Sequence, residues 1–240
     1  MKTLAVEQLP DRVVVTLARE KQRNAINAEM IGELHEVCEL IERDPKILVL
    51  SGQGEHFAGG ADINQLRERT RDDALRGINR NLFDRIAALP LPTIAAIRGY
   101  ALGGGAELSY ACDIRIASST AIFGNPEPGL GIMAAAGASY RLPALVGVSV
   151  AKQVLLGGRL LDADAALRSG LVIDIVDDPL TAAHALADRV AKQSPLALKL
   201  TKKILDAPGS HPWADDIAQA VLFETEDKQR RMTAFLEKTR

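Results

Sequence analysis

Two glutamates in this 240-residue chain stand in segments that could turn a carboxylate into a catalytic group. Glu107 follows the three glycines of residues 103–105, and Glu127 lies between two prolines in an otherwise apolar stretch. Pro128 biases Glu127 toward extended backbone, so its side chain is expected to be rigidly held and partly desolvated. If the two carboxylates converge, one pKa rises, which suits general acid/base chemistry near neutral pH. Taken singly, each glutamate is more often a surface side chain.

Two glycine-rich loops could supply backbone N–H groups beside these carboxylates. Residues 56–63 read His-Phe-Ala-Gly-Gly-Ala-Asp-Ile, and small residues there would let a ligand approach the main chain. The glycines before Glu107 open a predicted helix, where unpaired N–H groups meet the positive end of the helix dipole. One N–H group from each loop would form an oxyanion hole. The alternatives are a plain glycine-rich turn in the first loop and close helix packing in the second.

The hydrophobic pattern predicts the elements that must position these groups. Apolar, β-branched runs predict a hairpin and then short buried strands, at residues 4–8, 13–17, 47–50, 93–97, 113–118 and 171–176. Asn27 is predicted to cap a helix, a charged helical stretch runs to about Leu89, and helix resumes from Ala134. After Leu180 the chain reads as helices alone, with a start signal at Ser194-Pro195. This order predicts an α/β fold followed by a helical region.

The composition is that of an ordinary globular chain. Its formal net charge is −2 with both signs mixed along the sequence, so no basic surface for nucleic acid is predicted. The N-terminus lacks the apolar core of a signal peptide, and no uncharged apolar run is long enough to span a bilayer. Cys38 and Cys112 lie in apolar contexts that predict buried free thiols. We expect a cytoplasmic protein with neither nucleic-acid nor membrane partners.

Other motifs are excluded by their context. Residues 129–134 match the loose dinucleotide fingerprint, but no buried strand directly precedes them and no acidic residue follows at the required distance. The four histidines are scattered without metal-binding spacing, so no metal site is expected. Ser109 and Ser139 lack the Gly-x-Ser-x-Gly elbow of serine hydrolases.

Six segments in order along the chain resemble the crotonase (enoyl-CoA hydratase/isomerase) superfamily over essentially its full length, and the enoyl-CoA hydratases most. They are Arg23-Asn-Ala-Ile-Asn27, residues 57–63, Gly99-Tyr-Ala-Leu-Gly-Gly-Gly-Ala-Glu107, Phe123-Gly-Asn-Pro-Glu127, residues 157–171 and Thr233-Ala-Phe-Leu-Glu-Lys238. Each is weak alone, but six in family order are specific. The resemblance implies a spiral of ββα units over residues 1–178. It also implies a helical region, residues 179–240, that packs subunits into trimers, often paired into hexamers.

The resemblance also implies a role for each candidate residue. The N–H groups of Ala61 and Gly104 would bind the thioester oxygen of a 2-enoyl-CoA and stabilise an enolate. Glu107 would help activate a water at the β-carbon, and Glu127 would be the acid/base toward the α-carbon, giving a 3-hydroxyacyl-CoA by syn addition. Coenzyme A is part of the substrate, so no separate cofactor is implied. The implied contacts to the acyl-CoA are Lys21, Ala25, Ala58, Gly60, Asp62, Ile63, Ala135 and Lys238.

The chain departs from the family pattern at two places. Asn64 stands where some hydratases have a lysine, which leaves the phosphate contacts open, and Arg67 or Arg69 could compensate. Residues 131–139 lack a usual proline and have alanine in place of two glycines, although the N–H of Ala135 could still hold the catalytic water. Retention of both glutamates favours a hydratase over a Δ3-Δ2 isomerase or another crotonase-type reaction. A non-catalytic acyl-CoA-binding protein is the remaining alternative, and acyl chain length is left undetermined.

Overall fold

In the residues that it describes, 1–207, 209 and 212–238, a computed structural model of the chain contains eight strands and eleven helices. The strands are β1 (Leu4–Gln8), β2 (Arg12–Leu17), β3 (Ile47–Gly52), β4 (Thr93–Ile97), β5 (Tyr100–Leu102), β6 (Ile114–Ala117), β7 (Ile122–Gly124) and β8 (Leu161–Asp162). The helices are α1 (Ala28–Arg43), α2 (Ile63–Arg67), α3 (Arg71–Arg76), α4 (Ile78–Ala87), α5 (Gly104–Ala111), α6 (Ala138–Leu155), α7 (Ala163–Arg168), α8 (Pro179–Ala191), α9 (Pro195–Leu205), α10 (Pro212–Phe223) and α11 (Glu226–Lys238). Two 3-10 turns, Glu20–Gln22 and Glu127–Leu130, lie in the loops.

The larger sheet has five strands in the order β1-β2-β3-β4-β6, antiparallel at the β1–β2 hairpin and parallel elsewhere. Alternate residues of β3 belong to two separate clusters of buried side chains, Leu48 and Leu50 in one and Ile47 and Val49 in the other. Both faces of the strand are therefore covered. Burial on two sides is why β3 reads as a continuous apolar run rather than an alternating one.

A second, smaller sheet pairs β5 with β7 in parallel and β7 with β8 in antiparallel. Two isolated bridges, Ile26 with Ala61 and Ala58 with Ala101, extend it by single residues. Successive passes of the chain thus place one strand in the large sheet and one short extended piece in the small one, before a helix closes the unit. The predicted α/β spiral of ββα units is confirmed, and it brings residues 58–61 beside the start of α5.

The local predictions hold where one short-range interaction determines the structure. The hairpin forms as expected, and the Asn27 side chain caps α1 by accepting from the Met30 N–H at 2.9 Å. The charged stretch before Leu89 is three helices rather than one. Thr70 and Asp73 form a capping box at the start of α3, and Gly77, with φ of 61°, separates α3 from α4. Cys38 and Cys112 are buried and unpaired, as predicted.

Two predictions in the second half of the chain are wrong. Residues 171–176 form no regular strand. Three backbone hydrogen bonds join residues 173–176 to β6, but only one residue pair, Ala117 with Ile175, forms a bridge, and Ile173 is exposed to solvent. Helix α6 begins at Ala138 and not at Ala134, after Gly137 with φ of 126°. The residues before Gly137 contribute to a cavity described below, which explains why they are not helical.

Helix α8 packs on the large sheet through Ala183 and Ala187, which lie in the same buried cluster as Val49. The buried Arg12 guanidinium joins the helix to the sheet, donating to the His184 carbonyl at 2.9 Å and pairing with Asp188.

A division of the chain at residue 178 into two units stays a prediction. No helix in the described part of the chain combines the length and apolar character needed to cross a membrane.

Gly105 is the point at which α5 touches the extended segment before α2. A Cβ added there would lie 2.3 Å from the Ala58 carbonyl oxygen and 2.7 Å from its Cβ. Since backbone cannot yield at that distance, Gly105→Ala should lower the free energy of unfolding by about 2 kcal/mol or more, measured by urea denaturation.

Gly32, in the middle of α1, is the matched control because a Cβ there meets nothing within 4 Å. Gly32→Ala should raise the free energy of unfolding by about 0.5–1 kcal/mol, since alanine loses less backbone entropy in a helix. Similar stabilities for the two variants would contradict the close packing of α5.

Candidate active site

Helix α5 carries Glu107 into the interior. Gly103 precedes the helix with φ of 50°, a conformation that favours glycine, and all residues of α5 are buried. Glu107 is only 3% exposed. Its Oε1 atom accepts hydrogen bonds from the N–H groups of Ala136 at 2.7 Å and Ala138 at 3.1 Å. The carboxylate is therefore held by the backbone that leads into α6.

The surroundings of Glu107 bring the pKa of its carboxyl group close to neutral pH. Burial raises the pKa of Glu107 to about 7, and the negative charge of Glu127 acts in the same direction. The N–H groups of Ala138 and Ala136 stabilise the charged form and oppose that shift. A carboxyl group with this pKa can both accept and release a proton at physiological pH.

Glu127 begins the second 3-10 turn and is 8% exposed. Glu127 lies beside Gly103 at the start of α5, since a Cβ added to that glycine would be 3.1 Å from Glu127 Oε1. The Oε2 atom of Glu127 has no hydrogen-bond partner among the described residues. Burial raises the pKa of Glu127 as well, and the Asn125 side chain opposes that shift by stabilising the charged form. A buried carboxylate oxygen without a protein partner is available to a water or to a proton of the substrate.

Two backbone N–H groups beside the carboxylates have no acceptor in the described part of the chain, those of Ala61 and Gly104. A Cβ on Gly104 would lie 3.5 Å from the Ala61 nitrogen, so the two groups are neighbours. The bridge to Ile26 uses the Gly60 carbonyl and the Asp62 N–H, each at 2.8 Å. Because alternate residues of an extended segment face opposite sides, the Ala61 N–H points away from that bridge. Two adjacent free donors are the arrangement that an oxyanion hole requires.

These groups line one cavity of about 490 Å³. The structure thus brings together five of the predicted residues, Ala61, Gly104, Glu107, Glu127 and Ala135. The remaining wall comes mainly from the segment 66–80, including Arg69, one of the two arginines that the sequence offered as a compensating cation. The other, Arg67, is exposed and pairs with Glu68.

Other predicted substrate contacts lie elsewhere. Lys21 is exposed in the first 3-10 turn, and Ile63 is exposed at the start of α2. The Asp62 carboxylate is occupied by Arg19 at 3.0 Å, and Arg19 also donates to the Ala25 carbonyl. Ala58 and Gly60 use their backbone in the small sheet. The side chain of Lys238 lies outside the described residues, and the roles of all these residues in substrate binding stay predictions.

The sequence did not identify the groups that hold Glu107. The loop with Ala136 and Gly137 is fixed by Arg141, which pairs with Asp84 at 2.7 Å and donates to the Ala136 carbonyl at 3.4 Å. Tyr140 donates to the same Asp84 carboxylate at 2.7 Å. The only sequence pattern that could have indicated this loop is Gly137 followed by Arg141 one helical turn later. That pattern is not specific, because the start of many helices has it.

The raised pKa of Glu107 makes a prediction for stability. Since the folded protein holds this proton up to about pH 7 and the unfolded chain releases it near its ordinary value, the buried charge increasingly destabilises the fold as the pH rises through that window. Glu107→Gln removes the titration and keeps an acceptor for both N–H groups. Its free energy of unfolding, relative to the unmodified protein, should rise by on the order of 2–3 kcal/mol from pH 5 to pH 8 in urea titrations.

Glu33 is a suitable control because its pKa is shifted in the opposite direction to that of Glu107. Burial favours its protonated form, but hydrogen bonds from Thr3 and the Lys2 N–H outweigh that and lower the pKa of Glu33. Glu33→Gln should therefore be less stable than the unmodified protein by an amount that stays nearly constant between pH 6 and 8. A pH-independent difference for Glu107→Gln as well would show that Glu107 is ionised throughout.

The comparisons with known proteins agree with this geometry. A family profile described as Enoyl-CoA hydratase/isomerase matches residues 12–240. The short-chain-enoyl-CoA hydratase of Clostridium acetobutylicum is 40% identical over 241 residues, covering 94% of this chain and 91% of that protein. The 2,3-dehydroadipyl-CoA hydratase of Escherichia coli is 36% identical over 247 residues, covering 99% and 97%. The solved structure of an enoyl-CoA hydratase from Bacillus anthracis matches with a TM-score of 0.93 at 32% identity, over 98% of this chain and 96% of that one. The chain therefore belongs to the enoyl-CoA hydratase/isomerase family.

Proposed function

We propose that this protein is an enoyl-CoA hydratase, a lyase that adds water across the 2,3 double bond of a 2-enoyl-CoA thioester. The observation that carries the proposal is the meeting of two buried carboxylates, Glu107 and Glu127, with two free N–H groups in one cavity. Relatives named for two different enoyl-CoA substrates support hydration and leave the acyl group open.

The free N–H groups of Ala61 and Gly104 would receive the thioester oxygen. Addition at the β-carbon moves negative charge onto that oxygen, and donors already in place stabilise the resulting enolate without reorganisation. A donor of this kind is worth about 3 kcal/mol of transition-state stabilisation. Because main-chain atoms perform this task, the side chains at the hole need only be small.

The two carboxylates would handle the protons. Glu107 is fixed through Oε1, so its Oε2 atom remains to accept a proton from a water whose oxygen bonds to the β-carbon. Glu127 would deliver a proton to the α-carbon from its partnerless Oε2 side. The proton taken up by Glu107 then passes to Glu127 and restores both groups, so each cycle consumes one water, whose atoms are balanced by the new hydroxyl group and the hydrogen added at the α-carbon. Both raised pKa values suit groups that exchange protons in each turnover.

Hydration of crotonyl-CoA, followed by loss of the conjugated thioester absorbance, tests the proposal. Glu107→Gln and Glu127→Gln should each lower kcat by at least about 100-fold, because each removes a proton-transfer group. Glu36→Gln, on the exposed side of α1, is the matched control and should keep the activity.

The same variants separate the alternatives. Turnover that survives both substitutions would contradict the assignment of the carboxylates. Conversion of 3-enoyl-CoA without hydration would indicate an isomerase, and tight acyl-CoA binding without any turnover would indicate a binding protein.

A trimeric or hexameric assembly is also part of the proposal. Trp213, Ile217 and Val221 recur every four residues along α10 and are each about half exposed or more, at 68%, 58% and 49%. An apolar stripe on one helix face is typical of a surface that packs against another element. This supports an interface formed by the C-terminal helices, as the family resemblance implies.

A charge within this stripe should disrupt the assembly. Ile217→Lys is expected to reduce the mass measured by light scattering from three or six chains toward one, because a lysine would be desolvated at the interface. Gln219→Lys adds the same charge on the other side of α10 and should leave the mass unchanged. A monomer in the unmodified protein would contradict the proposal.

A reducing compartment such as the cytoplasm completes the proposal. Burial raises the pKa of Cys38 and of Cys112 to about 12, so neither thiol is positioned to react or to form a disulfide.

A further inference from the structure

One wall of the active-site cavity contains polar groups that the hydration chemistry does not use. This wall comes from the segment between α2 and the first turn of α4, and it includes Arg69, Gly77, Ile78, Asn79 and Arg80. Ligand pockets are lined mainly by apolar side chains, with a few polar groups that fix the orientation and the identity of the ligand. The charged and hydrogen-bonding groups of this wall therefore call for a different explanation.

Asn79 is the first of these groups. It is only 7% exposed, and its buried Oδ1 atom has no hydrogen-bond partner among the described residues. Its Nδ2 atom would lie 3.9 Å from a Cβ on Gly104, so the carboxamide stands beside the oxyanion hole. A carboxylate ligand only accepts hydrogen bonds, so the group of Asn79 that can serve it is the Nδ2 donor, which makes no hydrogen bond to any described residue.

The start of α4 is the second. Gly77 is the residue that caps this ten-residue helix, and it has no side chain to accept from the first N–H groups. In the described part of the chain, the N–H groups of Ile78, Asn79 and Arg80 donate to no acceptor. Free donors and the positive end of the helix dipole meet at the cavity wall, an arrangement that binds an anion.

Arg69 is the third. It is half-buried in the cavity wall and forms no ion pair with any described residue, whereas Arg80 pairs with Asp84 at 3.0 Å. Asp73 also lines the cavity, and its negative charge acts on Arg69 from beyond ion-pair distance. The Asp73 carboxylate itself is held by the Thr70 N–H at 2.9 Å and hydroxyl at 2.8 Å, and it pairs with Arg76 at 3.7 Å. The Arg69 guanidinium therefore has no carboxylate in direct contact and can still bind one in bidentate geometry.

We propose that this wall selects 2-enoyl-CoA substrates whose acyl chain ends in a carboxylate, which Arg69, the free N–H groups at the start of α4 and the Asn79 carboxamide bind. The inference rests on the proposed hydratase function and specifies its substrate class. It also assigns Arg69 to the acyl end of the substrate rather than to the phosphates of coenzyme A.

The test compares two thioesters of equal length, 5-carboxy-2-pentenoyl-CoA and 2-hexenoyl-CoA, which differ only in a terminal carboxylate or methyl group. The unmodified protein should have a kcat/KM at least about tenfold higher for the carboxylate. Arg69→Gln should lower the ratio of the two kcat/KM values about tenfold, and Asn79→Leu should lower it in the same direction. Arg67→Gln removes an exposed arginine from the neighbouring helix and should keep the ratio.

Several results would overturn this assignment. An unmodified protein without preference for the carboxylate would do so, with the hydratase function intact. An equal loss on both thioesters in Arg69→Gln would assign Arg69 to coenzyme A. If neither thioester is hydrated, the proposed function itself fails, and the selectivity fails with it. Circular dichroism of each variant establishes that it is folded. Asn79→Asp places a negative charge beside the substrate carboxylate and should also lower the ratio of the two kcat/KM values.

Discussion

The contact between α5 and the extended segment 58–61 is the constraint on which the catalytic arrangement depends. Gly105 lies against Ala58 so closely that no side chain fits between them, and Gly104 and Ala61 are adjacent as a result. This packing places two free N–H groups side by side and directs Glu107 inward from the same helix. The small residues of both segments are required by distance, because a larger side chain at Gly105 would overlap Ala58.

Burial of two carboxylates in one cavity is unfavourable for stability, and the fold offsets that cost more fully at Glu107 than at Glu127. Glu107 receives two N–H groups from the loop before α6, and that loop is fixed by Arg141 and Asp84. Glu127 retains an oxygen atom without a protein partner. The first carboxylate is thus oriented and the second is left reactive, which agrees with a division of labour between holding a water and exchanging a proton with carbon.

The polar wall of the cavity depends on different elements from the two glutamates. The spiral core supplies both glutamates and the two free N–H groups, whereas the short helices α2, α3 and the start of α4 supply the polar wall. Short helices joined by capping turns tolerate substitution more readily than buried parallel strands. Substitutions in the polar wall are therefore expected to disturb the two glutamates and the free N–H groups less than substitutions in the core.

The sequence by itself determined the buried strands, the cap at Asn27, the glycine-opened helix and the pair of glutamates, because each depends on residues close together in the chain. It also determined the family, through motifs in a fixed order. It could not determine where α6 begins or that residues 171–176 fail to form a strand, since both depend on distant packing. Only the tertiary structure showed that Ala136 and Ala138 hold Glu107, that Arg19 occupies Asp62, and that Asn79 and Arg69 line the same cavity as the two glutamates. Hydrogen bonds between segments tens of residues apart decide these points, and no local pattern encodes them.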